Sequence, residues 1–397
     1  MPTIIDLDQN ATTPLDPAVL EAMSPFWLAG GNAESRHAGG RAARRALERA
    51  RESVASILGA RPDEVVFTSG GTEANNLALF GLAGADAGPW PSPGPMPHLI
   101  ASPIEHPAVA EVVARLEASG FAVDRPEVDS RGLADAAAMA RLIRPGTRLA
   151  TLMLANNETG AIQPVAALAG LASGRGVPVH TDAVQAVGRI AVDFGSLGVA
   201  TLAASAHKFH GPGGVGLLLV RRGVGLAPRL FGGGQQGGRR PGTPAVALAV
   251  GLATALGRWH AEAEGRAARW ARLRDRLESS LVAALGPGRV VRNGPTDPAD
   301  RLPQTLNLGF PGLDGDAMLI QLDLAGVAAS LGSACASGAS EPSPTLAAMR
   351  VPADRLRSSV RFSFGAATGE AEVDEAVGRV LAVIGRIDAA GGSAGGA

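Results

Sequence analysis

The sequence predicts an α/β protein: a mostly parallel sheet flanked by helices, followed by a second, smaller α+β domain. Three observations carry this. Short apolar runs ending in polar or glycine-rich loops alternate with helical patterns from about residue 64 to residue 220. After about residue 258 the texture changes to a long charged helical pattern, then to isolated short strands. The chain has 397 residues and is 46% hydrophobic, enough for more than one core.

Taken in order, "EVVFTSGG" (64–71) reads as a strand and tight turn, and "TEANNLALFGLAG" (72–84) continues with helical spacing. "GADAGPWPSPGPMPH" (84–98) is Pro/Gly-rich and reads as a surface loop. "HLIASPIEH" (98–106) is a strand ending in polar residues, and "PAVAEVVARLEASG" (107–120) an amphipathic helix closed by Gly120. "RLATLMLANNETG" (148–160) is a strand and loop, followed by a helix from about Val165 to Ser173. "VPVHTDAVQAVG" (177–188) and "LAASAHKFHGPGGVGLLLV" (202–220) supply further strands around polar loops. The charged helix at 258–285 leads to strands at "QTLNLGF" (304–310) and "SSVRFSF" (358–364) and a helix at 370–387. The expected division is a large domain over 15–257, a small one made of 1–14 with 258–387, and a disordered tail over 388–397, which lacks apolar anchors.

Composition narrows the function. The formal net charge of −1 gives no reason to expect a nucleic-acid or membrane partner. The longest apolar stretch, 245–256, is shorter than the roughly 20 residues a bilayer span needs. The first ten residues lack a basic-then-apolar signal pattern, and a single cysteine cannot form an internal disulfide, so a cytoplasmic setting is expected.

Two counts are sharper. Lys208 is the only lysine among 36 basic residues, and Cys335 is the only cysteine. Where any cation would serve, this chain uses arginine. A retained lysine therefore points to an amine that can lose its proton and act as a nucleophile, although it could also be a survivor of arginine bias. Cys335 lies in "SLGSACASG", a Gly/Ser-rich loop read over about 332–344, rather than in an apolar packing element.

The other chemistry gathers where strands end, which is where open α/β sheets bind ligands. "SGGTEANN" places Gly71 and Thr72 at a helix start suited to a phosphate. Asp182 and Gln185 follow one strand, and Asp182 could equally be a helix cap. His207 and His210 flank Lys208 without the nearby cysteines or carboxylates of a metal site, so no metal is expected. A lone lysine, a strand-end aspartate and a phosphate-ready helix match the needs of pyridoxal 5′-phosphate. His106 is a candidate to lie over its ring, or an ordinary surface histidine.

The whole set resembles the cysteine desulfurases, pyridoxal-phosphate enzymes of the aspartate-aminotransferase-like fold that supply sulfur for iron–sulfur clusters. The resemblance is carried in order by "DQNATTPLDP" (8–17), "FTSGGTEANNLAL" (67–79), "SPIEHPAV" (102–109) and "NNETGAIQP" (156–164). It continues through "HTDAVQAVG" (180–188), "SAHKFHGPGGVG" (205–216), "GGGQQGGRRPGT" (232–243) and "GSACASGASEPS" (332–343). It implies that Lys208 bonds the cofactor aldehyde, Asp182 its ring nitrogen and Gln185 its ring hydroxyl. It further implies that His106 stacks on the ring and moves protons, and that Gly71, Thr72, Ser205 and His207 hold the phosphate. Asn157 would contact cofactor and substrate, and Arg361 would clamp the substrate carboxylate. Cys335 would be the nucleophile that takes sulfur from L-cysteine as a persulfide, leaving L-alanine, and could transiently ligate an iron–sulfur cluster. Thr243 would reach the phosphate of a partner subunit in a homodimer. The acceptor would be an iron–sulfur scaffold or another sulfur-carrying protein, and the long loop suits the branch serving general and nitrogenase cluster assembly. The chain departs from the family pattern at Gln9-Asn10, in lacking a proline after Asn32, and at Pro241, where serine is usual. The rival readings are selenocysteine lysis, transamination, and a noncatalytic sulfur carrier on the same fold.

Overall fold

In a computed structural model, residues 4–84, 95–331 and 342–394 are described. Most of the loop read at 84–98, and the loop of Cys335 with Gly332 and Gly338, lie outside them. Along the first half, β1 (Ile5–Asp6) precedes α1 (Pro17–Leu28) and α2 (Ala38–Ile57). Asp16 caps α1 by accepting from Ala18 N, and Pro17 enters at the first helical turn, where its missing N–H costs nothing. Ala43, Ala46, Leu47, Ala50 and Val54 recur at helical spacing, which explains which face of α2 is buried. Next come β2 (Val65–Thr68), α3 (Gly71–Ala83), β3 (His98–Ala101), α4 (Pro107–Ala118) and β4 (Ala122–Asp124). α5 (Ala136–Arg141), β5 (Thr147–Thr151), α6 (Val165–Ser173), β6 (Val179–Asp182), α7 (Phe194–Leu197), β7 (Thr201–Ser205) and β8 (Gly216–Val220) complete the first layer.

These strands form a seven-stranded sheet in the order β2-β8-β7-β6-β5-β3-β4. Only β8 runs antiparallel to its neighbours β2 and β7. The central runs "TLAAS" and "GLLLV" are buried at every residue. That is the signature of a sheet covered by helices on both faces, and it explains why these strands read as continuous rather than alternating apolar runs.

α8 (Val246–Leu285) is a single helix of 40 residues, about 60 Å long at 1.5 Å per residue. It passes unbroken through residue 258, where the texture of the sequence changes. Its first half packs on α1 and α2, with Gly251 against Met23; farther along, Arg276 pairs with Asp374. Beyond it, β9 (Val291–Arg292), β10 (Thr305–Gly309), α9 (Gly315–Leu324) and β11 (Val327–Ala328) lead to α10 (Pro344–Ala348), α11 (Ala353–Leu356), β12 (Ser359–Ser363) and α12 (Glu370–Ala394). β12, β10 and β9 make a three-stranded antiparallel sheet, and β1 pairs in parallel with β11.

Two expectations are corrected. The segment from 388 is not a disordered tail as far as Ala394: α12 runs through it, and Asp388 forms a forked ion pair with Arg289. The loop before α10 ends one residue earlier than read, because Ser343 caps α10 and Pro344 is its first residue.

A buried arginine ties the turn after β6 to the segments that follow β1 and β12. Arg189, fully enclosed, donates to the carbonyls of Gln9 (3.0 Å) and Phe364 (3.4 Å), and its guanidinium lies 5.2 Å from the Trp270 ring centre. Burial pushes its pKa down to about 9.

Candidate active site

Apart from Arg361 on β12 and Ala11 of the N-terminal segment, the site is delivered by the carboxyl ends of strands of the large sheet, the loops that follow them, or the helices those loops open. β2 leads to Gly71 and Thr72 at the start of α3. β3 leads to His106, the N-cap of α4; β5 to Asn157; β6 ends in Asp182; β7 ends in Ser205, just before His207 and Lys208. These residues, with Gln185, Asn75, Met153 and Val184 among others, line one cavity of about 250 Å³. The structure therefore brings together ten of the residues singled out from sequence: Gly71, Thr72, His106, Asn157, Asp182, Gln185, Ser205, His207 and Lys208 line the cavity, and Arg361 reaches its edge by donating to the Asn157 carbonyl (3.1 Å). A larger cleft of about 1280 Å³ runs beside Trp259 and Arg269, and none of the ten lines it.

Asp182 caps a turn rather than a helix, because no helix follows β6 before α7. Asp182 Oδ1 accepts from Val184 N (2.9 Å), as a cap would, while Oδ2 accepts from Asn75 Nδ2 (2.6 Å). Asn75 is itself oriented by His180, whose Nε2 meets Asn75 Oδ1 at 3.0 Å while Nδ1 meets Thr201 Oγ1 at 2.9 Å. Asn75 and His180 were not singled out from sequence. Spacing could have found them: His180 shares a strand face with Asp182, and Asn75 lies one helical turn beyond Gly71.

Complete burial pushes the His180 pKa down to about 3. His180 is thus neutral when folded and charged when unfolded below about pH 6.5. The unfolded chain then binds the extra proton, so this contribution to stability is present above about 6.5 and is lost as pH falls towards 3, by at most about 1.4 kcal/mol per pH unit. Urea midpoints at pH 7 and pH 5 should therefore fall less in His180→Gln than in wild type; an equal fall in both would refute this.

His106 Nδ1 accepts from Ala108 N (3.1 Å), which leaves the ring proton on Nε2. Burial lowers its pKa, so the ring is neutral near pH 7. The neighbouring Glu105 accepts from Met153 N (3.0 Å), and burial together with the charge of Asp182 raises its pKa to about 8. Lys208 Nζ donates to the carbonyls of Asn10 (2.7 Å) and Ala11 (2.8 Å). Arg361 is buried, and its Nη2 donates to Asp8 Oδ1 at 2.6 Å.

Two structural details fit pyridoxal 5′-phosphate. Gln185 Oε1, on the cavity lining, is a buried oxygen with no protein partner, able to accept from a ring hydroxyl. A Cβ on Gly71 would come within 2.7 Å of Val184 Cγ2, so glycine keeps the α3 amides open at the phosphate end. Among the described residues no group of three or more histidines and acids is placed to hold a metal.

Thr243 stands apart. It is exposed, does not line the cavity, and does not cap α8, whose N-cap is Ala245 without a side-chain bond. Asn32 is exposed too, and its side chain accepts from Glu34 N in a local turn. Cys335 lies outside the described residues; the described residues on either side of that segment bond to residues at the cavity edge. Ser330 exchanges main-chain bonds with Arg361, and Ser343 donates to Glu158, the neighbour of Asn157.

The model of the aminotransferase class-V family matches residues 5–376. An IscS-like cysteine desulfurase of Mycobacterium tuberculosis is 43% identical over 377 residues, 94% of each chain. A cysteine desulfurase of Gluconacetobacter diazotrophicus is 42% identical over 386 residues, 96% of this chain and 93% of that one. Among solved structures, a NifS-like protein superposes with a TM-score of 0.88 at 34% identity, covering 96% of this chain and all of the other.

Proposed function

The chain belongs to the cysteine desulfurases of aminotransferase class V, and from that premise we propose a residue-level account of its reaction. The protein is a pyridoxal-phosphate enzyme that converts L-cysteine to L-alanine, passing sulfur on as a persulfide for iron–sulfur cluster assembly. The observation that best supports the assignment of roles is the cavity itself, which places the chain's one lysine among Asp182, His106 and the open start of α3.

When bound, pyridoxal phosphate supplies an aldehyde for amines to exchange on and a ring that accepts electrons from bonds at the substrate Cα and Cβ. Gly71, Thr72, Ser205 and His207 would hold its phosphate, with the α3 N-terminus adding its dipole. Asp182, kept in place by Asn75 and Val184 N, would offer negative charge to the ring nitrogen, and Gln185 would accept from the ring hydroxyl. Arg361 and Asn157 receive the substrate carboxylate. The neutral His106 ring presents Nε2–H as a hydrogen-bond donor to a ligand in the cavity, and would take up a proton only at Nδ1, on release of its bond from Ala108 N. Cys335 attacks the substrate sulfur as a thiolate. The new S–S bond forms as the C–S bond breaks, the bond's electron pair leaves with carbon, and protonation of that carbon completes alanine.

The enzyme works as a homodimer in which Thr243 serves the partner's phosphate. Supporting this, Thr243 is exposed, and Leu230 and Phe231 on the same loop are 48% and 84% exposed, apolar surface that a second copy would cover. A mixture of Thr243→Asp and Lys208→Ala chains, each inactive alone, should regain activity after subunit exchange. Half the dimers are then mixed, with one intact site in two, which gives about a quarter of wild-type turnover. No recovery would show that Thr243 acts within its own subunit or not at all.

A further inference from the structure

We propose that the main-chain carbonyls of Asn10 and Ala11 form a holding site for the Lys208 ammonium, and that Asn10 is the positioning residue that fixes it. The inference rests on Lys208 as the cofactor lysine and concerns where its amine goes when substrate displaces it. A buried ammonium without acceptors is costly, so a displaced lysine needs a prepared place. Two carbonyls provide one at 2.7 and 2.8 Å. They accept from the ammonium but cannot take its proton, and they make no ion pair that would resist the amine's return.

What fixes these carbonyls is Asn10, which is 1% exposed. Its N–H donates to Ser363 Oγ (2.9 Å), and its Nδ2 to Thr305 Oγ1 (2.9 Å) and the Asn157 carbonyl (3.2 Å). Its side-chain oxygen accepts from Gln304 Nε2 (3.4 Å), and its carbonyl also accepts from Gln185 Nε2 (3.0 Å). Ser363 and Thr305 belong to β12 and β10, so the smaller domain sets the position of an amine carried by the larger one. Two residues earlier, Asp8 holds Arg361 at 2.6 Å. One short segment, residues 8–11, therefore accepts hydrogen bonds from both the lysine and the arginine of the site. The other ionisable groups lining the cavity are His106, Asp182 and His207.

The test uses the full chain, freed of cofactor and labelled with ¹⁵N-lysine; a single lysine gives a single side-chain ammonium signal. Thr305 does not line the cavity, so Thr305→Val loosens Asn10 without touching the lysine's surroundings. Proton exchange of the Lys208 ammonium should rise at least about tenfold in both Asn10→Ala and Thr305→Val. Thr305→Ser, which keeps the hydroxyl, should exchange as wild type does. Wild-type exchange in Thr305→Val overturns the proposal, whatever Asn10→Ala does. Failure of the cofactor assignment would show separately, as borohydride labelling at a residue other than Lys208.

Discussion

Lys208→Ala is expected to abolish turnover and to remove the absorption that an amine-bound pyridoxal aldehyde gives in the visible and near ultraviolet. The reason is chemical: no other side chain in this sequence carries a primary amine. Reduction of the wild-type holoenzyme with borohydride should leave one cofactor-labelled peptide, containing Lys208. The variant should still fold and bind the cofactor loosely. The residues proposed to hold the phosphate, Gly71, Thr72, Ser205 and His207, and the Asp182–Asn75–His180 chain do not depend on the amine. Lys208→Arg should not rescue, because a guanidinium stays charged and cannot form the bond. Label confined to the α-amino group, or wild-type turnover in Lys208→Ala, would sink the assignment.

Much of this site was legible in sequence because its chemistry is concentrated in residues that composition makes rare. A sole lysine, a strand-end aspartate and a glycine turn before a helix each carry a physical reason to be where they are, and strand ends gather them whatever the details of packing. Residues that act through others were not legible. Asn75 looked like one more polar residue of a helix, and His180 like one more polar residue of a strand; their roles depend on β6 lying beside α3, a contact between positions more than 100 residues apart. Asn10 stood out only as a departure from a family pattern, although it joins both domains. The carboxyl-terminal segment was misread for a related reason. Its Gly/Ala-rich composition argues against a helix standing alone, but α12 enters it with a packed face of Val373, Ala376, Val380, Val383 and Ile384 already formed. Extending an existing helix is far cheaper than nucleating one.

Cys335→Ser should retain the cofactor absorption and bind L-cysteine, yet release alanine and sulfide at least about a hundredfold more slowly. Serine replaces the sulfur with oxygen at nearly constant size, so the test isolates nucleophilicity. A thiol with an ordinary pKa near ~8.5 is partly ionised near neutral pH and attacks sulfur readily; an alcohol does neither. The binding steps should survive, because the residues proposed for the cofactor and the substrate carboxylate are Lys208, Asn157 and Arg361, none of which the substitution alters. If Cys335 served only as a small packed residue, serine would instead lower the thermal midpoint and leave turnover per folded molecule unchanged. The sequence sharpens the readout further. With no second cysteine in the chain, a persulfide on Cys335 cannot be resolved to an internal disulfide. Wild-type enzyme given one equivalent of L-cysteine per site and no other thiol should therefore hold one added sulfur atom, found by mass spectrometry on the Cys335 peptide. A following thiol should remove that sulfur and leave the enzyme ready for further L-cysteine, whereas the serine variant should gain no sulfur under either condition. Equal alanine and sulfide production by Cys335→Ser and wild type would defeat the nucleophile assignment.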